Sequence, residues 1–194
     1  MEINFEYNLI DLISIIDIST QLRYIVPLVS SDLLSFDVSI TTIILPNWSC
    51  NDNNYTIFDF SRFSLLESIE IGNDSFGSVS TFQIDGLNQL KRIKIGVNSF
   101  TQRKNSNGND ASKSFQILNC ESLESIEIGA YSFSDFGGEF ELKNLTQLQS
   151  IQIGRIGSNS NSFRGSSFVI RGIEMILTIL MNRFSKSTIH YFGL

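Results

Sequence analysis

Leu90-Lys91-Arg92-Ile93-Lys94-Ile95-Gly96-Val97-Asn98-Ser99-Phe100 is the stretch on which the fold turns, because its frame occurs four times. The other copies are Leu66-x-x-Ile69-x-Ile71-Gly72, Leu123-x-x-Ile126-x-Ile128-Gly129 and Leu148-x-x-Ile151-x-Ile153-Gly154. Their glycines stand 24, 33 and 25 residues apart. A Phe-x-hydrophobic triplet begins 14 residues before each glycine: Phe58-Asp59-Phe60, Phe82-Gln83-Ile84, Phe115-Gln116-Ile117 and Phe140-Glu141-Leu142. A Ser-Phe pair follows the first three glycines at a fixed offset (Ser75-Phe76, Ser99-Phe100, Ser132-Phe133) and is delayed after Gly154 to Ser162-Phe163. Self-similarity at this period is the mark of a solenoid.

The chemistry of the frame predicts what each coil contributes. Ile-x-Ile is a short strand whose first and third side chains share one face, while the middle one points the other way. The following glycine is expected to permit a sharp turn, at positive φ. The Phe-x-Ile triplet suggests a second short strand per coil. One coil cannot bury enough apolar surface to offset the entropy of ordering itself, so the coils must stack, with strands pairing in parallel and the Ile, Leu and Phe positions forming internal ladders. The template also exposes two degenerate copies. Upstream, Ile40-x-x-Ile43-x-Leu45-Pro46 has Pro46 in the glycine place and Ser49-Cys50 in the Ser-Phe place; downstream, Phe168-Val169-Ile170 leads into Ile173, Ile176, Ile179 and Met181, with Asn182 in the glycine place.

Leu90-Lys91-Arg92-Ile93-Lys94-Ile95-Gly96-Val97-Asn98 resembles the leucine-rich-repeat consensus LxxLxLxxN. The Gly-x-x-Ser-Phe element and Pro46 resemble the BspA-like subclass, which carries Gly-x-x-Ala-Phe and Ile-Pro. The resemblance covers roughly residues 34–182. It implies an α/β repeat solenoid of horseshoe type, strand-rich, with short or irregular convex segments and capped ends, that binds other proteins. Two features depart from the family pattern. The Asn98 position holds Asp74, Tyr131 and Ile156 in other coils, which leaves an asparagine ladder incomplete, and the Phe-x-Ile triplet is additional.

Three parts follow from this frame: an N-terminal cap over 1–33, about six coils over 34–182 with the outer two degenerate, and a tail over 183–194. Apolar residues at 9, 10, 12, 13, 15, 16 and 18 predict a buried helix over 8–18, suited to covering a solenoid end. Positions 101–114 add nine residues to the period and are polar apart from Ala111, which predicts a mobile loop. A second Gly/Ser/Asn-rich bulge spans 155–162.

Composition narrows the function classes. The chain has 194 residues, 42% of them hydrophobic, enough for one sizeable core. A net charge of −6 lacks the basic footprint of a nucleic-acid binder. No apolar run approaches the roughly 18 residues of a spanning helix, so no membrane insertion is expected. Glu2 and Glu6 stand where a secretory signal is basic, which makes a cytoplasmic location the expectation. The alternative is the cell surface or secretion, for which Asn47, Asn54, Asn73 and Asn144 lie in N-x-S/T sequons.

Catalytic chemistry is poorly supplied. His190 is the single histidine, which with unclustered cysteines cannot build an ordinary zinc site. No G-x-S-x-G elbow, Walker loop or G-x-G-x-x-G is present. The run Asn105-Ser106-Asn107-Gly108-Asn109-Asp110 has its glycine misplaced for a calcium loop and no closing glutamate. Gly137-Gly138 reads as a turn. The template explains both cysteines as small core residues: Cys50 replaces the Phe of Ser-Phe, and Cys120 takes the place of Leu87 and Leu145. Their separate ladders predict reduced thiols, because a disulfide needs Cα atoms within about 7 Å. No cofactor and no enzyme activity are expected.

The outward residues of the main strand are the remaining candidates. Glu70, Lys94, Glu127 and Gln152 form one row, and Ser68, Arg92, Ser125 and Ser150 the next. In one reading these charges neutralise each other along the stack. In the other, Lys91, Arg92 and Lys94 form a basic spot among acidic coils on a partner-binding face. The expectation is a non-enzymatic protein-protein interaction module with an unidentified protein partner and an open oligomeric state. The alternatives are an adhesin-like surface protein, an enzyme with an unrecognised site, and a shortened member of a larger repeat family.

Overall fold

The computed structural model describes residues 21–23, 38–102, 110–154, 161–163, 165–173, 178–181 and 188–192. The chain winds as a β-solenoid with two parallel sheets. The first is ordered β1-β2-β4-β6-β8-β10-β12, comprising Gln21–Arg23, Thr42–Leu45, Ser68–Ile71, Arg92–Ile95, Ser125–Ile128, Ser150–Ile153 and Thr178–Met181. The second is ordered β13-β11-β9-β7-β5-β3, comprising Thr188–Phe192, Ser167–Arg171, Glu139–Lys143, Ser114–Leu118, Thr81–Asp85 and Ile57–Asp59. The register Phe58↔Phe82↔Phe115↔Phe140↔Phe168 marks about four full turns. The helix predicted over 8–18 lies outside the described residues, as do positions 103–109 of the long insertion and 155–160 of the bulge.

Ile-x-Ile builds the first sheet, and Phe-x-Ile builds the second strand of each coil, as its spacing predicts. The repeat solenoid holds, but the α/β detail differs. Among the described residues there is no helix. The side opposite the first sheet carries a second parallel sheet, because Phe-x-Ile alternates at period two and its segments are too short for a helical turn to compete. β12 stands where the degenerate last repeat was read, and β13 continues the second sheet into the segment read as a tail.

The core lies between the sheets. Strands β2 to β11 show strict inward-outward alternation, with Ile43, Ile69, Ile93, Ile126 and Ile151 in one buried row of the first sheet. The second sheet contributes Phe58, Phe82, Phe115 and Phe140, stacked at 4.5, 4.5 and 4.7 Å. The Ser-Phe rings form a second stack, with Phe76, Phe100, Phe133 and Phe163 at successive spacings of 4.9, 4.7 and 4.7 Å. The two stacks meet edge to face, for example Phe82 with Phe100 at 5.3 Å and Phe115 with Phe133 at 5.1 Å.

This packing carries a local backbone cost. Phe76, Phe100, Phe133 and Phe163 all sit at φ between 52° and 57°, and Cys50 takes the same conformation at 55°. Left-handed backbone costs a non-glycine residue about 1–2 kcal/mol. Full burial of the ring returns about 1.5–3 kcal/mol, and ring pairing about 0.5–1.5 kcal/mol more, so burial prevails. The preceding serine satisfies the corner. Ser99 Oγ donates to Gly72 O at 2.8 Å and accepts from Ser75 N at 3.2 Å. Ser132 Oγ likewise donates to Gly96 O and accepts from Ser99 N. A serine hydroxyl therefore bridges one coil to the next inside the core, where an unpaired amide is costly.

The repeat glycines serve a different purpose from the one their position suggests. Only Gly154 has positive φ, at 78°, whereas Gly72, Gly96 and Gly129 do not. A Cβ at any of these three would lie 2.5–2.6 Å from backbone atoms of the previous coil. Close approach of stacked backbones, not turn handedness, excludes a side chain there. The Asn98 position is an outward corner at φ 57°, which Asp74 and Tyr131 also adopt, so it requires left-handed backbone rather than an asparagine ladder. A side-chain ladder forms instead at the opposite corner, where Asn144 Nδ2 donates to Asn119 Oδ1 and Asn119 Nδ2 donates to Asp85 Oδ1.

The long insertion is anchored at both ends by one residue of the next coil. Asp135 Oδ2 accepts from Gln102 N at 3.3 Å and from Lys113 Nζ at 2.7 Å. Lys113 and Asp135 are each about nine-tenths buried. Gly138 N donates to Lys113 O, and a Cβ on Gly138 would meet that oxygen at 2.5 Å, so this glycine is a close approach as well as a turn. Asp135 Oδ1 is buried and has no hydrogen-bond partner among the described residues.

Phe100→Ala should cost about 3–5 kcal/mol, since both of its stacking neighbours lose a face; urea unfolding would measure it, and a loss below about 1 kcal/mol would contradict the ladder. Lys113→Met should destabilise by about 3–5 kcal/mol by leaving a buried carboxylate uncompensated, and adding Asp135→Leu should recover most of that loss. A double-mutant cycle decides whether the two losses simply add.

Candidate functional site

The outward face of the first sheet brings the sequence-derived residues together. Parallel pairing sets Glu70, Lys94, Glu127 and Gln152 in one row, and Ser68, Arg92, Ser125 and Ser150 in the adjacent row. Lys91 stands immediately before β6 in a third row, between Glu67 and Glu124, two residues that the sequence reading did not single out. The signal was present, since both immediately follow the leucine of the frame, as Lys91 does.

Ion pairing on this face is selective. Lys91 Nζ meets Glu67 Oε2 at 2.9 Å, and Lys94 Nζ meets Glu70 Oε1 at 3.0 Å. The hydrogen bond to Glu70, then the charges of Glu70 and Glu127, hold the Lys94 ammonium above the ordinary lysine range. These pairs are half-exposed and are worth at most about 1 kcal/mol each. Among the described residues, Arg92, Glu124 and Glu127 form no ion pair. Arg92 stands between Ser68 and Ser125 and so lacks the acidic neighbour that each lysine has.

A shallow polar groove of about 200 Å³ runs across this region. Thr42, Ser68, Arg92 and Ser125 line it from four successive strands, and Glu67, Lys91 and Glu124 border it. Its chemistry is that of a recognition surface: a planar guanidinium able to take a carboxylate through two hydrogen bonds, hydroxyl groups, and carboxylates beside it.

The other candidates lie elsewhere. Among the described residues, no three His, Cys, Asp or Glu side chains converge to hold a metal ion, and no helix is long and apolar enough to cross a membrane. Cys50 and Cys120 are both buried and form no disulfide among the described residues, as their template positions predict. Burial pushes the Cys120 thiol up to about 11. No protein-family model, no curated protein and no solved structure matches the chain.

Both thiols should label slowly in the folded protein and completely in denaturant without reductant. For Cys120 the protection should persist at pH 9 to 10, below its raised pKa, where an exposed thiol is largely thiolate. Rapid native labelling at pH 9 would contradict the burial.

Proposed function

We propose that this chain is a non-enzymatic protein-protein interaction module on a leucine-rich-repeat-like scaffold of the BspA-like kind, acting in the cytoplasm. Its partner docks on the outward face of the first sheet, against Glu70, Lys91, Arg92, Lys94, Glu127 and Gln152. One observation carries the reading: among the described residues Arg92 is a guanidinium without an ionic partner, exposed in a row of hydroxyls, while both neighbouring lysines are paired. Short parallel strands hold these side chains in a fixed two-dimensional array, so contact costs little further ordering. A carboxylate of the partner gains two charge-assisted hydrogen bonds at Arg92 without breaking an existing ion pair.

Affinity purification from the native cell, followed by titration of the captured partner, tests this. Arg92→Glu with Lys94→Glu should weaken binding by about 1–3 kcal/mol. Because both side chains are exposed, stability should fall by less than about 1 kcal/mol. Unchanged affinity alongside unchanged melting would remove this face as the docking site.

A further inference from the structure

The outward charges of the first sheet are arranged so that the face complements itself. From β2 to β12, the central outward row reads Ile44, Glu70, Lys94, then Glu127, Gln152 and the register position of Leu180. The adjacent row reads Thr42, Ser68, Arg92, then Ser125, Ser150 and the register position of Thr178. Folding each row back on itself about the boundary between β6 and β8 sets unlike charges together and keeps like charges apart. Lys94 meets Glu127, Glu70 meets Gln152, Ser68 meets Ser150, and the apolar Ile44 meets the position of Leu180. The third row obeys the same rule, since Lys91 meets Glu124 and Glu67 meets Gln149.

We infer that this face pairs with a second copy of the chain about a two-fold axis that lies parallel to the strands, between β6 and β8. Such an axis sets β6 of one copy over β8 of the other, twice, which is the isologous arrangement of a symmetric dimer. Sheets packed face to face stand about 10 Å apart, within reach of extended Lys, Arg and Glu side chains. Arg92 would lie over the second copy's Ser125, between its Glu124 and Glu127, carboxylates that, like Arg92, form no ion pair among the described residues. The six strands that overlap, at about 4.8 Å each, give a face roughly 24 Å long and two to three side chains wide, smaller than a standard specific interface. The dimer is therefore weak and sensitive to salt. It goes beyond the proposed function and uses the same face, so self-association and partner binding compete.

Sedimentation velocity from micromolar to millimolar protein, at low and high salt, reads the association directly. Wild type should show a dimer that grows with concentration and dissociates in high salt. Arg92→Glu with Lys94→Glu makes β6 and β8 both acidic, and Glu124→Lys with Glu127→Lys makes both basic. Each variant alone should lose the dimer with its circular dichroism and melting retained, and an equal mixture of the two should recover a heterodimer. Wild type that remains monomeric at low salt throughout the range overturns the inference. So does a dimer that survives either charge reversal, or variants that fail to recover association on mixing. Partner titration at protein concentrations below those at which wild type dimerises removes that competition, so it tests the proposed function separately.

Discussion

Two interlocked stacks of phenylalanine rings hold this solenoid in register. One stack belongs to the second sheet and the other to the corners that follow the first sheet, and each ring touches members of both. A shift of one coil by a single residue would turn a ring outward and break contacts with two neighbouring coils. Stacking geometry thus supplies register specificity that the nearly uniform rows of isoleucine cannot, because those rows would tolerate sliding by two residues. The left-handed backbone repeated at the corner rings follows from this. It is a local strain kept because it delivers the ring to the second stack.

The same constraint explains the polar interior of the corner. A chain that turns sharply while its backbone is buried must satisfy amides and carbonyls that no strand partner reaches. At Ser99 and Ser132 the serine before the corner ring does so across coils, its hydroxyl accepting from an amide and donating to a carbonyl of the preceding coil. Phenylalanine and serine at that pair are therefore two halves of one device, one filling the core and the other closing the backbone account. The repeat glycine completes it by letting consecutive coils approach until a Cβ would no longer fit.

With the interior so heavily determined, the outer face of the first sheet is free to vary. Its alternating positions contribute little to the core, yet they are held rigidly by it. Glu67–Lys91 and Glu70–Lys94 use that rigidity to neutralise charge along the stack, whereas Arg92 breaks the pattern. Arg92 is thus a charge that this pre-organised surface does not neutralise locally, and the proposed docking role rests on it.

Much of the fold was legible in the chain itself. Period-two alternation at a recurrent spacing determines the strands, the parallel stacking and the buried rows, because each position has one face available to it. The same template placed Cys50 and Cys120 in the core and gathered Glu70, Arg92, Lys94, Glu127 and Gln152 on one surface. Three things were decided only in three dimensions. Gly96 and its counterparts read as turn residues, but the approach of one coil to the next, which no single coil contains, is what requires them. Lys113 read as part of a polar loop, but it is buried because Asp135, from a separate coil, lies beside it. Arg92 and Lys94 read as cations in two adjacent rows, and only the structure shows which pairs close: Lys94 meets Glu70 at 3.0 Å, while Arg92, between two serines, meets no carboxylate among the described residues. Sequence spacing determines which face a side chain takes. Which charge it meets there depends on atoms brought together from coils 24 to 33 residues apart.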